Sequence, residues 1–594
     1  MANYYTDSSE WQWLFKNAFD WKKLIPLYYP TFPTEDGQES PEEVVKFYEE
    51  LLSSIAGWSA TAMRNRAREL DRHGAGRVEN GETIPSDLLK DLYREAQELG
   101  YFALGAQREF GGMNAPSSVM LLVFAMTAQS CQASTVQLGF FTSIIDMVER
   151  FCNDDTKKRI VPQMVQGQLS GAMCLTEPGA GSDVGALKTS ATPTADGKYL
   201  LNGTKCFISN GGGGVGFVLA RIKGAPEGLE GISLFFTEEW IDDEKGGRKH
   251  NYYIGKNEDK MGLHGSFTCE VIYENSLATL VGEPHQGFQY MLHLMNEARI
   301  AVGMQTLGGI QACLEIATNY ANERRQFGRP IAELPLLKRI LAEMKIEVDA
   351  FRALMVDTAV YFDIYQKLDF KKRHKVTFSS EEEKLFLEAR KWTRRRTPLV
   401  KYYGAELFTK LSKEAIQVHG GYGMMRDYDA ERLHRDSFAP LLYEGTSQIQ
   451  ALMAMKDLLK DTLKNPTKFV QSMLIAPQQN NIIHSDISHG DDFKKIHFRF
   501  KRNIAMLLFR VLKPDTLDIF NAKAWQDPAR VEVLMMHAET ICQGLAYIET
   551  LRVLGRHAQK DSSRQQLFKN YHQLVGPRLE AIYTDWKFFD PYEK

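Results

Sequence analysis

The sequence has 594 residues, 44% apolar and 25% charged, with 72 basic and 75 acidic side chains and a net charge of −3. This composition is typical of a soluble globular protein and excludes a disordered chain, a collagen-like repeat and a disulfide scaffold. The nearly balanced charge gives no overall field that would attract nucleic acid. The seven cysteines form no Cys-x-x-Cys pair, so we predict buried thiols and no metal site.

The first 40 residues are rich in aromatic residues and proline, which predicts an arm packed over another part of the chain. Ser40 and Pro41 then form a helix start signal, and apolar residues at helical spacing predict an N-terminal helical domain over 41–165. The apolar run Val119–Met126 is far shorter than the roughly 20 residues that span a bilayer, so no stable membrane insertion is expected. No arginine precedes Arg64 and no signal-peptide pattern is present, which favours a cytoplasmic protein.

Between 166 and 287 the apolar runs shorten to strand length and glycines separate them, which predicts a middle β domain, either a sandwich or a barrel. Long amphipathic helices return over 288–464. The basic run 390–396 within them is interpreted as a solvated helix face. A linker is expected near 465–490, in an additional helical domain over 465–594.

Three segments suggest chemistry, although each has an ordinary structural interpretation. The Gly-Ala-Gly-Ser turn within 173–183 leaves backbone N–H groups open to an anionic ligand, but it could be a solvated turn. Residues 202–211 could present an aromatic ring and a hydroxyl together, or form a simple hairpin. Glu444 follows an apolar run, and such surroundings raise a carboxyl pKa towards that of a general base. Lone glutamates are nevertheless usually solvated.

The order and separation of these segments closely resemble the acyl-CoA dehydrogenase family, and the likeness covers about 41–461. Three more segments agree with the family pattern, namely 260–266, the Arg-x-x-Phe-Gly signature in 323–328 and the Gln-x-x-Gly-Gly-x-Gly turn in 417–423. The resemblance implies a multidomain α+β fold. It comprises an N-terminal helical domain, a middle β-barrel or sandwich, a C-terminal four-helix bundle and, here, the additional C-terminal helical domain.

The resemblance also implies FAD as cofactor and oxidation of an acyl-CoA thioester to its trans-2-enoyl form, with electrons passed to an electron-transfer flavoprotein. Glu444 matches the base that removes the α-proton. Some members carry the base directly before an arginine that matches Arg299, but here that position is Ala298. Glu297 lies one residue away, about 100° around the helix, and should point elsewhere.

The remaining family positions are expected to bind cofactor or substrate. Phe207 and Ser209 match a common Trp-x-Thr pair beside the flavin, so the hydroxyl is kept while the indole becomes a phenyl ring. Arg299 matches a residue that positions substrate or tunes the base, although a surface ion pair is the alternative. The expected cofactor-binding residues are Leu175, Thr176, Ser182, Phe207, Ser209, Arg324, Phe327, Gln417, Gly421, Thr446 and Gln448. The expected substrate-binding residues are Ser182, Arg299, Tyr443 and Gly445.

In the family, the residues matching Arg324 and Gln417 bind FAD across a subunit interface, which implies a homodimer or homotetramer. Besides an acyl-CoA-binding protein without turnover, two other functions remain open. The first is an acyl-CoA oxidase, which returns electrons to oxygen. The second is a DNA-binding damage-response flavoprotein of the same fold, but residues 461–594 hold only 19 basic against 15 acidic residues, a net +4. The amphipathic helix around Phe500 could rest on a membrane, although packing within the extension is favoured.

Overall fold

The structure is a computed structural model that describes residues 2–243, 246–464, 490–512 and 528–588. The linker predicted near 465–490 lies outside these residues except for its last position. The arm forms two short helices, α1 (Ser9–Asn17) and α2 (Trp21–Tyr28). Trp11 and Phe15 of α1 are buried, and the Trp13 indole donates a 2.6 Å hydrogen bond to Asp561. The arm therefore packs against the other end of the chain.

The N-terminal region is helical, with one small hairpin. Ser40 caps α3 by accepting a hydrogen bond from the Glu43 backbone, with Pro41 in the first turn, as the start signal predicted. The helices are α3 (Pro41–Trp58), α4 (Arg64–His73), α5 (Asp87–Glu98), α6 (Ser117–Ser130), α7 (Gln132–Phe151) and α8 (Asp154–Val165), and the hairpin pairs β1 (Gly76–Glu79) with β2 (Glu82–Pro85).

The middle region is a sheet whose pairing closes on itself. The ring runs from β11 to β5, β4, β6 and β7 and back to β11, with β10 and β3 attached. A closed ring is a barrel, one of the two β architectures predicted for this region. The strands are β3 (Ser170–Cys174), β4 (Ser190–Pro193), β5 (Tyr199–Ser209), β6 (Gly214–Ile222), β7 (Ile232–Glu238), β8 (Trp240–Asp242), β9 (Arg248–His250), β10 (Tyr253–Asn257) and β11 (Thr268–Val281).

Four long helices form the bundle that carries the site, and short elements connect them. The long helices are α9 (Gly287–Glu323), α10 (Pro335–Arg373), α11 (Ser380–His419) and α14 (Ser447–Lys464). The short elements are β12 (Arg325–Gln326), β13 (Arg329–Pro330), α12 (Asp429–Asp436) and α13 (Ala439–Leu442). By length and composition α9 could cross a membrane, but 78% of its apolar window is buried inside the protein. It packs against α6 and α11 as a core helix.

The extension is helical and packs on the bundle. Its described helices are α15 (Gly490–Leu512), α16 (Pro528–Met535), α17 (Ala538–Lys560) and α18 (Gln565–Phe588). Phe500, Ile504 and Leu508 of α15 are buried, so its apolar face packs inside the protein, as favoured over membrane contact. The Tyr403 and Tyr571 hydroxyls meet at 3.1 Å between α11 and α18.

The basic run at the start of α11 corrects one sequence interpretation. A solvated face was expected, but Arg396 is fully buried and pairs with Asp357 of α10. Arg395 pairs with Glu549 of the extension, with 2.9 Å between nitrogen and oxygen. The run is therefore partly a buried contact between bundle and extension. The run itself contains only basic charges, which is typical of a solvent-facing helix. Its acidic partners, Asp357 and Glu549, are remote in the chain, so local composition does not reveal them.

Candidate active site

The candidate base lies on a tight loop between α13 and α14. Glu444 and Gly445 both have left-handed backbone conformations, with φ of 56° and 84°. A non-glycine residue in this region is uncommon and marks a constrained functional position. The positive φ favours glycine at position 445, where an added Cβ atom would also lie 2.7 Å from the Gln450 amide nitrogen.

Donors from three helices fix the carbonyl groups of this loop. Arg299 of α9 donates through Nε to the Glu444 carbonyl at 3.2 Å, and Gln450 of α14 donates to the same oxygen at 3.0 Å. Lys401 of α11 donates to the Gly445 carbonyl at 2.6 Å. The Tyr443 hydroxyl donates to Gln305 of α9. The loop is thereby held on both sides of Glu444.

Within the described ranges, the carboxyl group of Glu444 has no such partner. Its Oε2 atom is buried and lacks a hydrogen bond. Burial raises the pKa of Glu444 to about 7, although Arg299 and Lys401 lower it through their charges. Burial also lowers the pKa of Lys401 to about 8. Arg299 and Lys401 bind backbone carbonyls rather than the carboxylate. The carboxyl group of Glu444 is therefore about half ionised at neutral pH and is available to accept a proton.

Glu297 points away from this loop, as its helical position predicted. It accepts a 3.1 Å hydrogen bond from Gln366 of α10 and lines a separate cavity. Burial raises the pKa of Glu297 to about 8. Arg299, predicted to contact substrate or to form a surface ion pair, is buried and donates to the Glu444 loop and to Asn296.

The β-domain residues that resemble the flavin contacts lie around the ends of β3 and β5. Leu175 is buried, and the Thr176 carbonyl accepts a 3.0 Å hydrogen bond from the Cys206 backbone. Phe207 has a φ of 59° and its ring is 65% exposed. An aromatic ring held outwards in a strained conformation is available to cover a planar ligand. Ser182 is exposed and Ser209 is half-buried.

A buried ion pair supports this part of the barrel. Lys205 Nζ lies 2.7 Å from Glu177 and donates to the Leu175 carbonyl at 3.0 Å. Glu177 also accepts hydrogen bonds from the backbone of Lys188 and Thr189. The pair therefore anchors the turn that follows β3. No sequence pattern signals this role, because Lys205 and Glu177 are separated by 28 residues.

A third set of predicted residues lies exposed at one end of the bundle. Phe327 is 88% exposed with a φ of 52°, and Gln417 and Gly421 are exposed as well. The Arg324 guanidinium lies over the Tyr422 ring, 5.8 Å from its centre. An exposed aromatic and arginine surface of this kind is suited to a partner or a ligand.

The two residues after the base loop point to different neighbours. The Thr446 hydroxyl accepts from the Ile449 backbone at 3.3 Å. Gln448 is exposed and donates to Glu539 of the extension at 3.1 Å. Gln448 is thus linked to α17, while its predicted flavin contact stays a prediction.

Sequence reasoning missed three residues that hold the base loop from neighbouring helices, namely Lys401, Gln305 and Gln450. They lie inside long helices, where a lone lysine or glutamine ordinarily faces solvent. Only the packing of α9, α11 and α14 around the loop identifies them. A burial pattern can place a helix face, but it does not show which polar side chain reaches a distant carbonyl.

One cluster away from the base has a spacing that could hold a metal ion. Ligand atoms of Asp146, His293 and Glu297 all lie within 4.8 Å of one another. However, Arg150 Nε lies 2.7 Å from both carboxylate oxygens of Asp146. A cation there would meet this fixed positive charge, so we interpret the group as an ion-pair cluster.

Three family models match the chain. They are the N-terminal, middle and C-terminal domains of acyl-CoA dehydrogenase, over residues 48–168, 172–276 and 285–459. An acyl-CoA dehydrogenase of Bacillus subtilis (strain 168) is 32% identical over 404 residues, which cover 67% of this chain and 97% of the relative. The acryloyl-CoA reductase (NADH) of Anaerotignum propionicum is 31% identical over 417 residues, 69% of this chain and 94% of the relative.

A solved structure extends the likeness of fold to the extension. The crystal structure of an acyl-CoA dehydrogenase complexed with FAD from Bacillus anthracis has a TM-score of 0.72 and 23% identity, and covers 92% of this chain and 89% of that chain. Together with the three family models and the curated relatives, the fold and the base loop lead to one assignment. The chain belongs to the acyl-CoA dehydrogenase family, whose members are FAD-dependent oxidoreductases that act on acyl-CoA.

Proposed function

We propose that the protein oxidises an acyl-CoA thioester to its trans-2-enoyl-CoA, with Glu444 as the base. One observation carries the proposal, namely a buried carboxyl oxygen without a hydrogen bond and a carboxyl pKa of about 7. An α-proton beside a thioester is weakly acidic, so its removal needs a base whose pKa lies near the working pH. The family membership supplies the substrate class.

The loop geometry supports the positioning of that base. Because Arg299, Gln450 and Lys401 hold the carbonyls of 444 and 445, the carboxyl group is directed by a fixed backbone. We assign the backbone N–H of Glu444 to the thioester oxygen, where it would stabilise the negative charge that develops as the α-proton leaves. Tyr443, Gly445 and Arg299 shape the substrate side, and Ser182 is assigned to the CoA arm or the cofactor phosphates.

The residues around β3 and β5 fit a flavin, since they combine an exposed ring, two hydroxyl groups and a glycine turn. FAD supplies the acceptor for the hydride that leaves the β-carbon. We propose that Phe207 shields this acceptor from water and that the Thr176 and Ser209 hydroxyls contact its polar edge. The other proposed cofactor contacts are Leu175, Ser182, Arg324, Phe327, Gln417, Gly421, Thr446 and Gln448.

We propose that the enzyme works as a homodimer, or as a homotetramer. The exposure of Phe327, Gln417 and Gly421 supports this, because they surround Arg324 at one end of the bundle. In a symmetric dimer these residues would complete the cofactor site of the neighbouring subunit. A tetramer needs a second docking face on each subunit. The extension packs on the bundle and so reduces the bundle surface that is free for this contact, which favours the dimer.

We further propose that electrons pass to an electron-transfer flavoprotein. Oxygen is the acceptor in the oxidase alternative. The relative named acryloyl-CoA reductase (NADH) suggests a third possibility, in which the reaction runs in reverse and reduces an enoyl thioester to the saturated thioester. These three possibilities are distinguished by direct assay.

The decisive experiment is an anaerobic titration of the FAD-loaded protein with acyl-CoAs of different chain length and branching. Loss of flavin absorbance and formation of the enoyl thioester are expected with at least one. Failure of the entire panel to reduce the flavin contradicts the proposal. Under air, rapid hydrogen peroxide formation would favour the oxidase, whereas NADH-driven loss of an enoyl-CoA would favour the reductase.

A further inference from the structure

One buried ion pair holds the loop that connects β3 with β4. Lys205 of β5 is fully buried, and its Nζ lies 2.7 Å from Oε1 of Glu177. The Glu177 carboxylate also accepts from the Lys188 backbone at 2.6 Å and from the Thr189 backbone at 3.0 Å. Glu177 lies near the start of the loop, whereas Lys188 and Thr189 lie at its end. One carboxylate therefore joins the two ends of the loop.

The same lysine and its neighbour on β5 hold the first two residues of the loop. Lys205 Nζ donates to the Leu175 carbonyl at 3.0 Å, and the Cys206 backbone donates to the Thr176 carbonyl at 3.0 Å. In a trans peptide the N–H points away from the carbonyl of the same peptide unit. The Thr176 N–H therefore points away from Lys205, and it has no acceptor among the described residues. The loop thus presents a free donor on the face opposite the ion pair.

Between its two held ends the loop is open. An added Cβ atom at Gly179 or Gly181 would meet no atom within 4 Å. Ser182 is exposed beside them. Glu177 and Ala180 exchange two backbone hydrogen bonds, of 3.1 and 3.0 Å, so the turn begins from a fixed point. A ligand can approach the backbone of this turn closely, because the two glycines leave it uncovered.

Packing of the barrel alone does not require a buried ion pair. An apolar pair of similar volume is often as stable, because both charges lose their hydration on burial. Burial opposes ionisation of Glu177, but the charge of Lys205 holds the pKa of that carboxyl below its ordinary value. Burial lowers the pKa of Lys205, and the Glu177 carboxylate opposes this shift. The two side chains bond to each other and otherwise to the loop backbone, which indicates that they serve the conformation of the loop.

We propose that Lys205 and Glu177 are positioning residues for FAD, because they hold the loop that carries the assigned cofactor contacts. Those contacts are Leu175, Thr176 and Ser182, so the inference rests on the proposed function. Both positioning residues act through the loop backbone. Removal of the pair should therefore weaken the hold on FAD even where the barrel stays folded.

The test uses the FAD-loaded protein and measures cofactor release after dilution, followed by the recovery of flavin fluorescence. Lys205→Met combined with Glu177→Gln removes both charges together, so neither charge is left buried without its partner. The double variant should fold, since uncharged groups of similar volume often replace a buried ion pair without loss of stability. It should release FAD about tenfold faster than wild type, as expected when one hydrogen bond to a ligand is misaligned. Release at the wild-type rate from the folded double variant overturns the proposal.

A second readout separates positioning from a contribution to stability alone. Circular dichroism in the visible region reports how the bound flavin is held, and the double variant should change this signal. Lys198→Met removes an exposed lysine just before β5 and is the matched control. It should keep both the release rate and the flavin signal of wild type. A double variant that unfolds at a lower temperature but keeps both flavin properties would have a structural role only, which contradicts the proposal.

If the double variant does not fold, Glu177→Gln alone decides. Its side chain keeps one oxygen, but its NH2 group cannot accept from a backbone N–H. The contact with the Lys188 backbone is lost, or those with Lys205 and the Thr189 backbone are lost. The loop is released in either case, so FAD should again leave about tenfold faster. Release from Glu177→Gln at the wild-type rate contradicts the proposal.

Failure of the proposed function gives a different result. Thr176→Val removes the hydroxyl group assigned to the cofactor and leaves the ion pair in place. Faster FAD release from Thr176→Val, together with wild-type release from the double variant, would reject the positioning role alone. Wild-type release from both would reject the assigned Thr176 contact as well. If the protein holds FAD but no acyl-CoA reduces it, the proposed reaction fails, while the release rates still decide the role of the pair.

Discussion

Two glutamates in this protein lie beside cations, yet their pKa values are shifted in opposite directions. Glu444 in the base loop has a pKa raised to about 7 by burial. Glu549 of α17 is fully buried, whereas Glu444 is half-buried, but the charges of Arg395, Arg552 and Arg396 hold the pKa of Glu549 well below the ordinary range. Burial alone therefore does not decide the charge of a carboxyl group.

The difference lies in what the cations bind. Arg395 and Arg552 approach the carboxylate oxygens of Glu549 at 2.9 and 3.4 Å. Near Glu444, Arg299 and Lys401 instead donate to backbone carbonyls. The first arrangement fixes a permanent charge that joins bundle and extension. The second keeps a proton acceptor in balance near neutral pH.

The largest expected effect is the loss of the base. Glu444→Gln keeps the shape of the side chain but cannot accept a proton, so flavin reduction by acyl-CoA should slow by about 10³-fold or more. Stopped-flow absorbance of the FAD-loaded variant measures this. Glu414→Gln, on α11, is the matched control and should reduce flavin at the wild-type rate. Reduction within tenfold of wild type in Glu444→Gln would place the base elsewhere.

The second effect is structural. Glu549→Gln leaves three arginines near an uncharged amide, and removal of one partner from a buried ion pair destabilises by about 3–5 kcal/mol. Urea unfolding should show this loss. The flavin reduction rate of the folded variant should stay close to that of wild type. A rate loss comparable with that of Glu444→Gln would mean that the two carboxylates are not separate in function.

The third effect tunes the base without removing it. Lys401 lowers the pKa of Glu444, so Lys401→Met should raise that pKa further. A rise of about one pKa unit would slow flavin reduction at pH 7 by about fivefold, because the ionised fraction of Glu444 falls from about one half to about one tenth. Because the effect is on ionisation, the rate should recover at higher pH. Lys413→Met, exposed on the same helix, is the control. A loss that persists at every pH would show that Lys401 acts only by holding the loop.

The smallest effect concerns an exposed pair of the extension. Arg499 and Glu580 lie 2.6 Å apart, with side chains 61% and 47% exposed. Arg499→Gln should change the unfolding free energy by less than about 1 kcal/mol, because exposed pairs contribute little. A loss as large as that of Glu549→Gln would break the contrast between buried and exposed charges.

Local signals predicted much of the fold. The Ser40 cap, the strand-length runs and the amphipathic bundle helices depend on neighbouring residues, and the structure has a helical N-terminal region, a barrel and a bundle there. Glu444 was also identifiable as the candidate base, because it stands in a recognisable segment. Its anchors were not, since Lys401 and Gln305 reach the loop from distant helices.

The buried part of the basic run shows the same limit. Arg396 lies among other basic residues, a composition that favours solvent exposure. Its partners Asp357 and Glu549 come from another helix and from the extension. Which charges are buried depends on how remote helices pack, and a single sequence contains no direct record of that packing.

The pH dependence of flavin reduction tests the central claim most directly. In a single turnover with saturating acyl-CoA, the ionised form of Glu444 is the reactive one, because only it can accept the α-proton. The rate should therefore rise about tenfold per pH unit at low pH and level off with an apparent pKa of about 7. A rate that is already constant above pH 5 would show an ordinary, solvated carboxylate and contradict the account.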